Sequence, residues 1–168
     1  MNKRSFIAGI VLGIVVTMFV IPFGFKLAFK NMMFKEVPSS FGFEKTVSLI
    51  ANRIDNQKGW HVTDIINQEK VLLDNGGKEV GKVKIIKFCN AKLSSKMLKA
   101  DDRKYMSVKM PLSISVYEKS DGKVYIGLMN GYMMTRMMSG TKEGIIMESV
   151  VKDIENIMSF LHFRYTIF

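Results

Sequence analysis

Three residue types that often carry chemistry are scarce in this 168-residue chain, which has one cysteine, two histidines and one tryptophan. A lone cysteine, Cys89, excludes a disulfide within the chain and leaves its redox compartment open. The chain also lacks a P-loop, a nucleophile elbow, a zinc-protease helix and a dinucleotide-binding glycine motif. Histidine-based acid–base chemistry would have to rely on His61 or His162. The sequence therefore favours a binding protein over an enzyme without excluding an enzyme.

Charge is absent from residues 5–25, which are apolar almost throughout. As a helix rising about 1.5 Å per residue, this stretch would reach roughly 30 Å, the thickness of a bilayer's hydrocarbon core. It is longer than the apolar core of a signal peptide, and no Ala-x-Ala cleavage site follows it. The sequence thus predicts a short basic tail (1–4), a retained transmembrane anchor (5–25), a juxtamembrane segment and linker (26–40) and one domain (41–168).

The predicted partners follow from this layout. The bilayer is the first, with anionic headgroups attracted to Lys26, Lys30 and Lys35. Gly9 and Gly13 form a GxxxG pattern that could bring two anchors together as a homodimer. Basic residues on the two sides of the anchor nearly balance, but single-span proteins of this layout usually keep the tail inside. We therefore expect a single-pass inner (cytoplasmic) membrane protein with a periplasmic, or more generally extracytoplasmic, domain.

The whole chain carries a formal charge of +10, and the domain beyond the linker keeps 20 basic and 14 acidic residues. Nucleic acid is one possible partner for such a domain. No zinc finger, RNP-like aromatic motif or helix-turn-helix pattern accompanies the charge, so no nucleic-acid partner is expected.

Periodicity predicts the elements of the first half of the domain. Apolar residues at helical spacing indicate a helix over 43–58, ended by Gly59. Residues 60–68 look extended, and 71–73 could form a short further strand before a glycine turn. Residues 80–89 form the longest predicted strand.

In that strand Val83 and Ile85 alternate with lysines, as for a half-buried strand with those two residues inward. Further along, Ile86 and Phe88 have the parity of the lysines. A bulge near Ile85–Ile86 would explain the change, and so would burial of both faces.

The second half of the domain contains the strongest local signal. Asn90 is placed to cap a helix running to Ala100. Residues 112–119 and 124–130 alternate around Asp121-Gly122, as in a tight β-hairpin. A long amphipathic helix follows over 143–163. The fold class is therefore α+β, a mostly antiparallel sheet with helices packed on one face, preceded by one N-terminal transmembrane helix.

Residues from about 41 to 161 resemble the domain-of-unknown-function family 302 at four places. These are Glu44-Lys45-Thr46-Val47 with Gly59; Phe88-Cys89-Asn90; Met110-Pro111 with residues 115–124; and Asn130 with Met133. The chain departs from the family pattern at Ala91 and Gly131, where the family tends to have proline, and at Leu112, where it tends to have a second cysteine. The resemblance implies an α+β fold, often with a membrane or export segment, and no established activity.

Two kinds of site remain open. The leading function is a membrane-anchored module that binds a small ligand or a partner, with candidate residues Cys89, Asn90, Pro111, Asn130 and Met133. In this interpretation no cofactor is required.

The alternative is a soft-metal (copper) or redox-linked protein that uses Cys89 and the Met129–Met138 cluster, since thioethers bind Cu(I). Its candidate ligands are Cys89, Met133, Met137 and His61. Cys89 precedes a helix N-terminus, whose dipole would favour a thiolate. The competing interpretation makes Cys89 a small buried residue and the methionines fillers of irregular gaps.

Overall fold

The computed structural model describes residues 7, 9–10, 12–18 and 32–165. Its strands are β1 (Phe34–Pro38), β2 (Trp60–Asn67), β3 (Val83–Asn90), β4 (Leu112–Glu118) and β5 (Val124–Met129). Its helices are α1 (Phe43–Asn56), α2 (Gln68–Asp74), α3 (Ala91–Leu98), α4 (Gly131–Met137) and α5 (Lys142–Ile157), with 3-10 helices at Asp101–Lys109 and Met158–Leu161. All strand pairs are antiparallel, in the order β1-β5-β4-β3-β2. The predicted α+β class is confirmed.

The hydrophobic core lies between one face of the sheet and the helices α1 and α5. Ile50 and Ile54 of α1, Ile126 of β5 and Ile157 of α5 are almost completely buried there. Arg53 of α1 ties the two helices together, because its guanidinium donates hydrogen bonds to the last carbonyls of α5. These carbonyls have no partner within their own helix, and a cation suits the negative end of the helix dipole.

Several predicted elements are confirmed. Helix α1 and strand β2 lie where periodicity placed them, and Gly59 between them has a φ of +82°, a value that favours glycine. Asn90 caps α3 through a hydrogen bond from Leu93 N to its Oδ1 at 3.1 Å. The β4–β5 hairpin turns at Asp121-Gly122, and the last long helix is α5.

Most of the predicted transmembrane anchor, the tail 1–4 and the lysines at 26 and 30 lie outside the described residues. Residues 12–18 are helical and exposed, and no neighbouring atom lies within 4 Å of a Cβ built on Gly9 or Gly13. Within the described part of the chain, no helix combines the length and the apolar character that crossing a bilayer requires.

The predicted linker is corrected in part, because Phe34–Pro38 is the edge strand β1 of the sheet. It pairs with β5, and Phe34 lies opposite Met129. This partner is too distant in sequence for a local pattern to reveal it. Pro38 at the end of an edge strand does not interrupt the ladder, since edge positions tolerate proline.

The short strand predicted over 71–73 is wrong, because these residues belong to helix α2. Asn67 caps the helix by accepting a hydrogen bond from Lys70 N at 3.1 Å, and Lys70 forms an ion pair with Asp74 one turn later. These local interactions favour a helix over the β propensity of a Val-Leu-Leu run. No residue of α2 is buried.

The inward parity predicted for β3 is also wrong. Ile86 and Phe88 lie in the core, whereas Ile85 is half-buried on the outer face of the sheet. Lys84 lies on the same face of the sheet as Ile86 and Phe88. The charge is tolerated there because the ammonium reaches the edge of the core, 5.7 Å from the Phe43 ring and 2.8 Å from a carboxylate oxygen of Glu44. The β3–β4 pairing is regular, and the bulge lies in β2, between Val62 and Asp64.

Candidate functional site

A cavity of about 80 Å³ lies where β3 and β5 end. It is enclosed by the sheet, the helices α3, α4 and α5, and the 3-10 helix Asp101–Lys109, hereafter called simply the 3-10 helix. Water needs about 10–15 Å³ of such space per molecule, so the cavity has room for several waters or a short apolar chain. Trp60 and Phe88 form part of its wall, with ring centroids 5.5 Å apart. Val150, Val151 and Ile154 of α5 form the opposite wall.

Methionine is the most frequent residue in the lining of this cavity. Six thioether side chains from five parts of the chain line it: Met97, Met106, Met110, Met129, Met134 and Met147. Methionine is unbranched and polarisable, so a methionine wall can adapt its shape to different apolar groups. The arrangement suits an apolar ligand better than a fixed polar substrate.

The polar groups that line the cavity are mostly engaged in hydrogen bonds within the protein. Asn90 is used as the cap of α3, and Cys89 Sγ lies 3.2 Å from Ser94 Oγ. Lys109 is exposed, whereas the other lining residues are buried or half-buried. Its ammonium lies 3.8 Å from Met129 Sδ. Lys109 therefore marks the mouth and places a positive charge there.

The structure brings together two of the five predicted ligand-binding residues, since Cys89 and Asn90 both line the cavity. Pro111 lines an adjacent groove that shares the Leu112–Met129 wall. Asn130 is buried at the start of α4, and its backbone N–H donates to Met33 O at 2.9 Å. Met133 is half-buried on α4, outside the lining of the cavity.

The predicted metal ligands come from two parts of the fold, the β2–β3 ladder and helix α4. His61 and Cys89 are cross-strand partners in β2 and β3. Met133 and Met137 lie one turn apart on α4, and Met137 is 82% exposed. Among the described residues, no group of three or more His, Cys, Asp or Glu side chains is arranged to hold a metal ion. The copper set stays a prediction.

Sequence reasoning missed most of the cavity. Met97, Met106, Met110 and Met147 come from segments that only the tertiary fold brings together. The available signal was the count of 14 methionines in the chain, which does not say which of them share a site.

A second concave surface lies on the outer face of the sheet, and Glu36 of the edge strand β1 is one of its lining residues. Burial, followed by the charge and hydrogen bond of Glu36, raises the pKa of Tyr117. The hydrogen bond with Glu36 raises the pKa of Lys119. Gly127 allows Ser115 to pack closely on this surface, because a Cβ there would lie 2.6 Å from Ser115 Oγ. The surface is a shallow groove and lacks the enclosure of the methionine-lined cavity.

The fold and the cavity define a small α+β domain with a one-sided helical layer and an apolar cavity at one end of its sheet. The chain belongs to the family described as "Domain of unknown function DUF302", which it matches over residues 35–161.

Its fold is similar to that of an uncharacterised conserved DUF302 protein from Bacillus stearothermophilus, known from a crystal structure. The TM-score is 0.63 at 20% sequence identity, over 78% of this chain and 97% of that one. No curated protein matches the chain.

Proposed function

We propose that the protein is a membrane-tethered binding module whose ligand is a small apolar molecule with an anionic group. The observation that carries this proposal is the methionine-lined cavity with Lys109 at its mouth. Pockets with apolar walls and a few placed polar groups are typical ligand sites. The apolar tail of the ligand would contact the methionines, and its anionic end would lie near the Lys109 ammonium.

The membrane tether is the second part of the proposal. Residues 5–25 carry no charge, and lysines at 26, 30 and 35 follow them. Such a stretch is long enough for a bilayer, and the lysines suit the headgroup region. Periplasmic placement and pairing of anchors through Gly9 and Gly13 stay predictions from the sequence.

The binding test uses the full chain in lipid nanodiscs, with the methionine methyl groups labelled with ¹³C. Hexanoate is the probe, because it combines a short apolar chain with a carboxylate. We expect its addition to shift the methyl signals of the cavity methionines while the signal of the exposed Met137 stays in place.

Val151→Phe is the cavity-filling variant, since Val151 is half-buried in the wall. It should abolish the shifts. Ile145→Phe makes a similar change at an exposed position of the same helix and should leave them intact. The proposal would be contradicted if the cavity signals of the wild-type protein did not move at roughly 10 mM hexanoate, a concentration that exceeds the Kd of even a weak, roughly millimolar site.

Soft-metal binding is the second candidate function, and the six thioethers around one cavity favour it. Thioether sulfur is a ligand of Cu(I). The test is copper content and absorption after Cu(I) loading under reducing conditions. Copper lost in Met106→Leu would support a cavity site, and copper lost in Cys89→Ser and Met133→Leu would support the set predicted from the sequence. Absence of retained copper in the wild type would eliminate this function.

A further inference from the structure

We infer that one end of the domain docks on the surface of an anionic bilayer, so that the mouth of the cavity opens towards the lipid headgroups. This inference rests on the proposed membrane tether and goes beyond it by assigning the surface. The docking surface, called the tether-side face below, comprises Met33–Phe34, helix α3, the 3-10 helix and helix α4.

Connectivity places these segments at one end of the sheet. Phe34 begins β1 directly opposite Met129, the last residue of β5. The 3-10 helix reaches the same place, because the Lys109 ammonium lies 3.8 Å from Met129 Sδ. Helix α4 follows β5 at once, and α3 follows the adjacent end of β3. The chain arriving from the apolar residues 5–25 therefore joins the sheet at this end.

Large apolar side chains are exposed on the tether-side face. Val108 is 80% exposed, Tyr105 66% and Phe34 53%. Tyr105 and Val108 are three residues apart in a 3-10 helix, in which residues at that spacing point the same way. Exposed apolar groups next to basic ones mark interaction surfaces, and aromatic residues favour the membrane–water interface.

Charge separates this face from the opposite end of the sheet. Residues 91–110 and 130–140 contain seven basic and two acidic residues. Residues 68–82 and 118–123, at the other end, contain five basic and five acidic residues. Anionic lipids attract basic residues within about a Debye length of the surface. The positive charge of the domain is thus concentrated where its chain would meet the bilayer.

The position of the cavity gives this docking a consequence for the ligand. Lys109 lies both on the tether-side face and at the cavity mouth. A molecule with an apolar tail and an anionic head could pass between bilayer and cavity with its head near the lipid headgroups throughout. This docking favours an amphiphile taken from the membrane over a ligand taken from bulk water.

The test reconstitutes the full chain into vesicles and compares two tryptophan variants, Val108→Trp and Val80→Trp. Both positions are exposed valines, but Val80 lies at the opposite end of the sheet, and the native Trp60 contributes equally to both variants. Phospholipids brominated near the headgroup quench tryptophan that reaches the interface. In vesicles containing phosphatidylglycerol, we expect at least about threefold more quenching at position 108 than at position 80, falling in neutral vesicles or high salt, because salt screens the attraction.

Charge removal gives a matched second comparison. Lys92→Gln with Lys96→Gln should reduce the quenching of Val108→Trp, since each lysine near an anionic surface contributes about fivefold to binding. Lys78→Gln with Lys123→Gln, at the opposite end, should leave it unchanged.

Two outcomes would overturn the inference. One is equal quenching at positions 108 and 80. The other is a position 108 shielded from both brominated lipid and aqueous acrylamide, which would mean that a protein segment or a second copy covers the face. Flotation of the wild type with neutral vesicles tests the tether independently, and the hexanoate titration tests ligand binding in the cavity. A failure of the docking can therefore be told apart from a failure of the tether or of the binding function.

Discussion

Lys109 is the last residue of the 3-10 helix and also lines the cavity, so it places a positive charge next to apolar side chains. The side chain is exposed, and its ammonium lies 3.8 Å from Met129 Sδ. A lysine in this position keeps its charge in water while its methylenes cover apolar surface. It can therefore select the charge of a ligand without a buried ionic group, which would be costly.

Lys109→Gln should weaken the binding of hexanoate and leave that of the neutral hexan-1-ol nearly unchanged. The expected loss is up to about fivefold, because an exposed ion pair contributes about 0.2–1 kcal/mol. The measurement is a pair of titrations followed by the methionine methyl signals. Lys78→Gln, which removes the same charge far from the cavity, is the control. Equal weakening of both probes would mean that Lys109 acts only through packing.

At the scale of single elements, the start of α5 depends on the absence of a side chain at Gly144. Thr141 caps this helix by accepting a hydrogen bond from Gly144 N at 3.1 Å, and a Cβ on Gly144 would collide with the backbone carbonyl of Met138. This close approach allows the tight connection between α4 and α5. The connection joins the two helices that carry Met134 and Met147, both of which line the cavity.

Gly144→Ala should lower the free energy of unfolding by about 1–3 kcal/mol, the usual cost of forcing atoms into occupied space. The sign is opposite to that of the ordinary helical effect, in which alanine is favoured over glycine by about 1 kcal/mol. Chemical denaturation of the full chain measures the change. Gly42→Ala is the comparison, because no neighbouring atom lies within 4 Å of the added Cβ. Gly42 is the N-cap of α1, where alanine is disfavoured, so this variant should lose about 0.5–1 kcal/mol through the cap alone and less than Gly144→Ala. A stabilised Gly144→Ala variant would contradict the collision.

Elements governed by local interactions could be predicted from the sequence, and those governed by distant partners could not. The caps at Gly59 and Asn90 and the Asp121-Gly122 hairpin are local, and they were predicted. Strand β1 was missed because its partner β5 is distant in sequence. The parity of β3 was misread because Lys84 reaches the edge of the core by its stem and pairs with Glu44, so a charge stands on the inner face.

For the cavity, the sequence indicated Cys89 and Asn90 through the end of β3, which is again a local feature. Met106 and Met147 come from segments joined only by packing, so their shared site depends on the tertiary structure.

At the scale of the whole molecule, alkaline pH should destabilise the fold. Burial, and then the charge of Glu155, raises the pKa of Tyr165, while a hydrogen bond with the Gly131 backbone acts in the opposite direction. The pKa of Tyr117 is raised for the same first reason, followed by the charge of Glu36. Both phenols keep their protons in the folded state at a pH where the unfolded chain has lost them.

The stability due to these protons is fully present below the unfolded pKa of about 10 and is lost as the pH rises above it, by about 1.4 kcal/mol per pH unit for the buried Tyr165 while it stays protonated and by less for the solvent-screened Tyr117. Denaturation near pH 9 and pH 11 should therefore show a clear loss of unfolding free energy. Tyr165→Phe should reduce the loss, whereas Tyr105→Phe, at an exposed position, should not. The same alkaline slope in Tyr165→Phe would refute the assignment.

The pairing of β1 with β5 sets an order of events during synthesis. Phe34 leaves the ribosome 95 residues before Met129, its partner in the sheet. At about 5–20 residues per second, that interval is roughly 5–20 seconds. Through this time the strand next to the apolar N-terminal stretch has no ladder to join, while β2, β3 and β4 can already pair. A nascent chain stalled before the hairpin is complete would thus carry an unpaired β1, and the helices α4 and α5 are synthesised only after β1 has gained its partner strand.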